Sequence, residues 1–255
     1  MPAPTISAGA PCWIDLFSSD TDGATAFYGD LLGWRAELPE EGFGGYFVFT
    51  RDGEVVAGCM ANDGSAGMPD TWSVYLATDD AERVATDAVA HGGQVHVPPM
   101  AIAENGTMTF LADQAGAAIG AWQANRMQGF TVRGEVGTPY WFELFTLDYD
   151  RSVDFYRTVF RWDAHTASDA PEFRYTTLGV GEGQLAGIMD MTPYLPEGAP
   201  AEWSIYFRVE DVDAALARVE QLGGAVVHGA EDTPYGRLAE AADPTGARFK
   251  LIQAP

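Results

Sequence analysis

The chain has 255 residues, 47% of them hydrophobic and 20% charged, enough for two domains that each bury a core. Thirty-seven acidic residues against 14 basic ones give a formal charge of −23, a field that repels phosphate backbones and anionic lipid surfaces. Nucleic acid and membranes are therefore not expected as partners, and no run approaches the roughly eighteen apolar residues of a spanning helix.

The opening stretch MPAPTISAGAPCW lacks the basic region and apolar core of a signal peptide. Cys12 and Cys59 lie in strand-like apolar runs without Cys-x-x-Cys spacing, which fits buried thiols in a cytoplasmic protein. Cys12–Ser18 alternates as a strand. Asp20 or Asp22 offers a helix N-cap, Ala24, Phe27, Tyr28, Leu31 and Leu32 form a helical stripe, and Gly33 closes it. Strands follow at Trp34–Glu37, Tyr46–Thr50 and Glu54–Ala61, the last two joined by an Asp52–Gly53 turn. The order then recurs: strand Trp72–Thr78, helix Asp80–His91 ending at Gly92, and strands near Gln94–Val97, Thr107–Ala112 and Ala117–Trp122.

The chain then repeats itself. Ten of the twenty-six positions from Pro11 to Ala36 are identical in Pro139–Ala164, and Asp15 answers Glu143. AGCM at Ala57–Met60 answers AGIM at Ala186–Met189, WSVYL at Trp72 answers WSIYF at Trp203, and ADQAGA at Ala112 answers ADPTGA at Ala242. The fold expected is α+β: four βαβββ modules in two tandem domains, residues 1–125 and 138–255, with 126–137 as a polar linker unlike anything in the other copy. The helices should lie on one side of each sheet and leave the other side to curl around something. The two copies are expected to form an internal pseudo-dimer that covers each other's sheet edges, in a monomer or weak homodimer.

A strand, an Asp, a Phe-Tyr pair on the following helix and a closing D-P-x-G-type strand resemble the vicinal oxygen chelate superfamily. That superfamily includes glyoxalases, bleomycin-resistance proteins and extradiol dioxygenases. The ending GTMTFLADQAGAAIGAWQ (Gly106–Gln123) is similar to tandem actinobacterial proteins often labelled glyoxalase-like or hydroxylase. The resemblance implies curled mixed sheets and, in the metal enzymes, ligands on the first, fifth and last strands of a domain. The matching places here are Trp13, Ser73 and Gly120, then Trp141, Ser204 and Lys250, none a good ligand for a divalent metal. No metal site and no cofactor are expected.

The face of the lost ligands carries Trp13, Asp15, Phe17, Ser73, Tyr75, Gly120 and Trp122 in the first domain. Aromatic rings, small residues and one carboxylate suit a planar, partly apolar ligand with a polar handle. The second cup presents Trp141, Glu143, Tyr206, Arg208, Arg248 and Lys250, which is read as Glu143 ion-paired with the cations and filling the space; an anion pocket is the alternative. The expected function is metal-independent binding of a small aromatic or polycyclic molecule, a secondary metabolite or antibiotic, in the first cup. The alternative is an enzyme of secondary metabolism, of hydroxylase, isomerase or lyase type, with Asp15 as acid or base. A metal-dependent glyoxalase or dioxygenase fits less well.

Overall fold

The computed structural model describes residues 6–37, 45–65 and 67–255. The first copy runs β1 (Pro11–Ser18), α1 (Thr21–Leu32), β2 (Arg35–Glu37), β3 (Phe47–Arg51) and β4 (Glu54–Ala61). It continues with β5 (Thr71–Ala77), α2 (Ala81–Ala90), β6 (Gln94–Ile102), β7 (Gly106–Ala112) and β8 (Ala118–Ala124). The second copy begins with β9 (Pro139–Thr146), α3 (Tyr149–Val159), β10 (Ala164–Ala170), β11 (Phe173–Leu178) and β12 (Ala186–Asp190). It ends with β13 (Glu202–Arg208), α4 (Val212–Gln221), β14 (Ala225–Thr233), β15 (Gly236–Ala242) and β16 (Arg248–Gln253). Each copy is one eight-stranded mixed sheet, ordered β2-β3-β4-β1-β5-β8-β7-β6 and β10-β11-β12-β9-β13-β16-β15-β14. The four-module α+β plan expected from the repeat is the architecture found.

Local chemistry sets the elements. Asp20, and not Asp22, caps α1 by accepting from Gly23 N at 2.9 Å, and Gly33 ends it in the left-handed region at φ 77°. Asp80 and Asp211 cap α2 and α4 in the same way. β6 runs past the expected Val97 to Ile102, through Pro98 and Pro99. It is an edge strand with register shifts between Val95 and Met100, and an edge can accommodate residues that donate nothing to the ladder.

Along β1 the side chains divide cleanly. Ile14 and Leu16 are fully buried beneath the helices, whereas Trp13, Asp15 and Phe17 point to the opposite, concave face. The two copies meet through their helix-bearing faces. Tyr28 of α1 and Trp72 of β5 pack at ring distances of 6.5 and 5.5 Å on Phe207 of β13, and Tyr28 lies 5.8 Å from Phe249 of β16. Contact between the copies thus runs through the central strands β5, β8, β13 and β16 and the helix pairs α1–α4 and α2–α3. The expected covering of sheet edges is not what joins them: the edges are β2, β6, β10 and β14, and the large aromatic side chains lie centrally.

The joint is written twice. Tyr28 OH donates to Asp243 at 3.1 Å and Tyr156 OH to Asp113 at 3.2 Å, each Tyr accepting from a Trp of its own copy, Trp72 or Trp203. Trp34 Nε1 donates to Gly137 O and Trp162 Nε1 to Gly9 O, at 2.6 and 2.8 Å. Gly137 therefore answers Gly9, so the linker does have a counterpart, in the stretch preceding β1. Nor is the linker a solvated tether. Phe130 is 2% exposed and lies 5.8 Å from both Trp13 and Phe142.

Candidate functional site in the first cup

The floor of the first cup is built where β1 lies between β4 and β5. Asp15 is in register with Gly58 on one side and Ser73 on the other, and Trp13 with Tyr75. Tyr75 is in turn opposite Gly120, which pairs with Phe110. The side chains converge on one carboxylate. Asp15 Oδ1 accepts from Trp13 Nε1 and from Tyr46 OH, both at 2.8 Å, and Trp13 Nε1 also lies 3.1 Å from the Tyr46 oxygen. Burial raises the Asp15 carboxyl above its ordinary range, opposed in part by the donors Tyr46 and Trp13 and by the nearby Tyr75 hydroxyl. None of the groups acting on it is a cation.

Two glycines make the room. A Cβ at Gly58 would stand 2.0 Å from Tyr46 OH and 2.1 Å from Asp15 Oδ1, and one at Gly120 would stand 2.1 Å from the Tyr75 ring. Tyr75 consequently lies flat against bare backbone, with Phe110 at 5.9 Å. Phe17, Ser73, Phe110 and Met108 keep part of their surface open, and Met60, in register with Phe17, is exposed. Trp13 and Trp122 are nearly closed off, at 3% and 7% exposed, and their indole N–H groups are committed to Asp15 and Tyr46 and to Met127 O. Trp13 thus positions the carboxylate and offers little of its own face.

The second cup repeats the floor with different chemistry. Glu143 Oε1 accepts from Tyr175 and Oε2 from Tyr206, both at 2.5 Å, and Trp141 Nε1 donates to Tyr175 OH at 3.0 Å. Burial raises Glu143 as well, against those hydrogen bonds and the nearby Lys250 charge. The expected ion pairing of Glu143 with the cations is not formed. Lys250 pairs with Glu240 at 3.1 Å, Arg248 pairs with the same Glu240, and Arg208 donates to Gly134 O. Glu240 faces Lys250 directly across β15–β16, whereas Glu143 lies two strands away on β9, with β13 between. Where the first cup has Phe110 and Gly120, the second has Glu240 and Lys250, the chain's one lysine, whose ammonium sits 4.8 Å from the Phe145 ring centre. That side chain occupies the space Gly120 leaves free.

Tyr46 and Tyr175 were missed in the sequence. Tyr46 precedes β3 by one residue and Tyr175 lies inside β11, so the strand pattern assigns them to different surroundings. Their shared offset of 129 from each other, matching Gly58 and Gly187, is the signal that would have found them.

The three ligand places do not fit a divalent metal. Trp13, Ser73 and Gly120 bring no imidazole or carboxylate, and the neighbouring Asp15 already holds two donors on one oxygen. Among the described residues no group of three His, Cys, Asp or Glu side chains could hold a metal. His91 bonds its own helix end through Asp87 O at 2.8 Å, and His165 lies 3.0 Å from Asp163. Cys12 and Cys59 are buried free thiols, Cys59 pushed up to about 12 by burial. A separate cleft of about 230 Å³ lies between α3 and β10–β11, where Arg174 already pairs with Asp150 and Asp169.

A family model, the Glyoxalase/Bleomycin resistance protein/Dioxygenase superfamily, matches residues 12–120 and again 126–251. The chain belongs to that superfamily. This glyoxalase-superfamily chain is 38% identical over 250 residues to a putative glyoxylase, CFP32, of Mycobacterium tuberculosis, covering 96% of this chain and 95% of the relative. It is 34% identical over 260 residues to the anthracycline biosynthesis protein DnrV of Streptomyces peucetius, covering 96% and 93%. Among solved structures, the Mn(II)-bound glyoxalase of Novosphingobium aromaticivorans superposes with a TM-score of 0.66 at 13% identity, over 100% of this chain and 84% of that one. The 2,3-dioxygenase LapB of Pseudomonas sp. KL28 gives 0.64 at 14%, over 98% and 93%. At those identities the structural likeness is one of fold.

Proposed function

We propose that this superfamily member binds a small planar aromatic or polycyclic molecule in the first cup without a metal ion. The observation that carries this is the contrast at one place in the sheet: Gly120 beside Phe110 in the first copy, Lys250 beside Glu240 in the second. In the first cup Phe17, Phe110, Met60 and Met108 keep apolar surface open beside a polar floor, whereas in the second Phe145 is buried and Glu240 stands in place of Phe110. The anthracycline biosynthesis relative supports a polycyclic ligand.

A second function, acid or base catalysis on such a molecule, is favoured by one observation. Asp15 is partly exposed at the floor of the cup and its carboxyl is raised by burial, the condition under which a carboxyl serves as a general acid near neutral pH. Titration of the protein with planar tricyclic probes, read by tryptophan fluorescence and calorimetry, tests binding. Phe110→Ala is expected to weaken it by about 1–3 kcal/mol, the usual loss of an aromatic anchor. Asp15→Asn separates the two functions: turnover collapses with affinity largely kept if the carboxyl acts in the transition state. Binding confined to the second cup, lost in Lys250→Met and untouched by Phe110→Ala, would reverse the assignment.

A further inference from the structure

We infer that the occupant of the first cup presents a carbonyl oxygen to Asp15 Oδ2, so that the cup reads a planar ring ketone or quinone in preference to a bare aromatic hydrocarbon. This rests on the first cup being the binding site and adds the functional group it recognises.

The geometry distinguishes the two oxygens of Asp15. An indole N–H can only donate, and Trp13 Nε1 donates to Oδ1. The Tyr46 oxygen stands within reach of the same N–H, so the phenol's own proton is directed to Oδ1 as well. Oδ1 therefore accepts twice. No hydrogen bond of normal geometry reaches Oδ2 from the described residues, and a proton on this carboxyl belongs there. A neutral carboxyl has one O–H to give.

The second copy shows why this oxygen is open. Glu143 is one methylene longer than Asp15, and it reaches tyrosines with both oxygens, Tyr175 with Oε1 and Tyr206 with Oε2. The shorter Asp15 meets Tyr46, the counterpart of Tyr175, but leaves Tyr75, the counterpart of Tyr206, without a bond of normal geometry. Tyr75 still acts on Asp15, so its hydroxyl lies near the carboxyl. The Asp15 O–H is then the donor offered above the floor, since both donors to the carboxyl go to Oδ1. A carbonyl oxygen carries in-plane lone pairs and no proton, which matches an O–H donor. Its ring can lie against Phe110, which packs 5.9 Å from the Tyr75 ring.

The remaining titratable groups around Asp15 stay neutral across the physiological range. Tyr46 and Tyr75 are raised by burial and by Asp15 itself, and the thiols of Cys12 on its own strand and Cys59 on β4 are raised by burial. β5 and β8 contribute Ser73 and Gly120, which do not titrate there. A change with pH in preference for the carbonyl is therefore assignable to Asp15.

The test compares 9-fluorenone with fluorene, two planar tricyclic probes that differ by the carbonyl, by calorimetry and fluorescence on the full chain from pH 5 to 9. Fluorenone should bind about three- to tenfold more tightly at low pH, the ordinary worth of one hydrogen bond. The preference should shrink as the pH rises, because an ionised carboxylate only accepts and repels the carbonyl. Asp15→Asn keeps an N–H donor at the open position and should keep the preference at every pH. Asp15→Leu should bind the two probes alike. If Asp15→Leu does not fold, the contrast in pH profile between wild type and Asp15→Asn carries the test. Equal affinities in the wild type, with Phe110→Ala weakening both, would overturn the carbonyl inference while leaving the cup as the site. Binding of neither probe would overturn both.

Discussion

Tyr28 donates its hydroxyl to Asp243, 215 residues away in the other copy, at 3.1 Å. Tyr156 makes the same bond to Asp113. Both aspartates also cap their own turn through backbone N–H groups, Asp243 from Thr245 and Ala247 and Asp113 from Ala115 and Ala117. The tyrosine thus reaches a carboxylate that its local turn has already fixed.

Tyr28→Phe is expected to cost about 1–3 kcal/mol, because it strands the Trp72 indole N–H and one oxygen of Asp243 in a buried place. Tyr156→Phe should cost a similar amount through Trp203 and Asp113. Urea denaturation of the single and double variants measures this. Losses near zero would show that the joint rests on ring packing alone.

Phe130→Ala should destabilise the protein by about 3–5 kcal/mol, as removal of a buried Phe side chain does. A surface tether would show almost no effect. The same denaturation experiment decides.

Glu143 supplies a pH dependence whose sign can be worked out. Its folded pKa is raised by burial above the ordinary value of 4.5, so between those two values the folded state holds a proton that the unfolded state has released. Stability from this group is full below about pH 4.5 and is lost as the pH rises through the folded pKa. Glu143→Gln cannot ionise. Its urea midpoint, measured relative to wild type, should therefore rise between pH 4.5 and 8. A relative midpoint that falls with pH would mean that Lys250 and the tyrosines outweigh burial.

Protein dialysed after purification is expected to carry far less than one Zn, Mn, Fe or Ni per chain, and chelators should leave its melting temperature unchanged. The reason is the donor set at Trp13, Ser73 and Gly120. Elemental analysis near one equivalent would overturn it.

The repeat made the architecture legible, because identical residues in identical order at a near-constant offset must build the same modules. Alternation along β1 correctly placed Trp13, Asp15 and Phe17 on one face, since a strand's period is two. What alternation lacks is reach across the sheet. It put Glu143 and Lys250 on one face but could not place β13 between their strands, and so the pairing of Lys250 with Glu240 was hidden. Nor could it show that Asp15, one methylene short of Glu143, leaves an oxygen open. The linker misled for a different reason. Its composition is polar, yet a single aromatic, Phe130, fixes it in the core.

The doubled joint bears on the molecule's ancestry. If a lone domain once paired with a twin, duplication followed by joining would give each half the freedom to drift, and the Gly120 and Lys250 positions look like the outcome. That freedom has a limit. Cutting the second half away would lay bare Tyr28 and Trp72, and cutting the first away would lay bare Phe207 and Phe249, aromatic surfaces that each pack on the sibling they grew up with. The two halves can diverge in what they hold, but neither can leave.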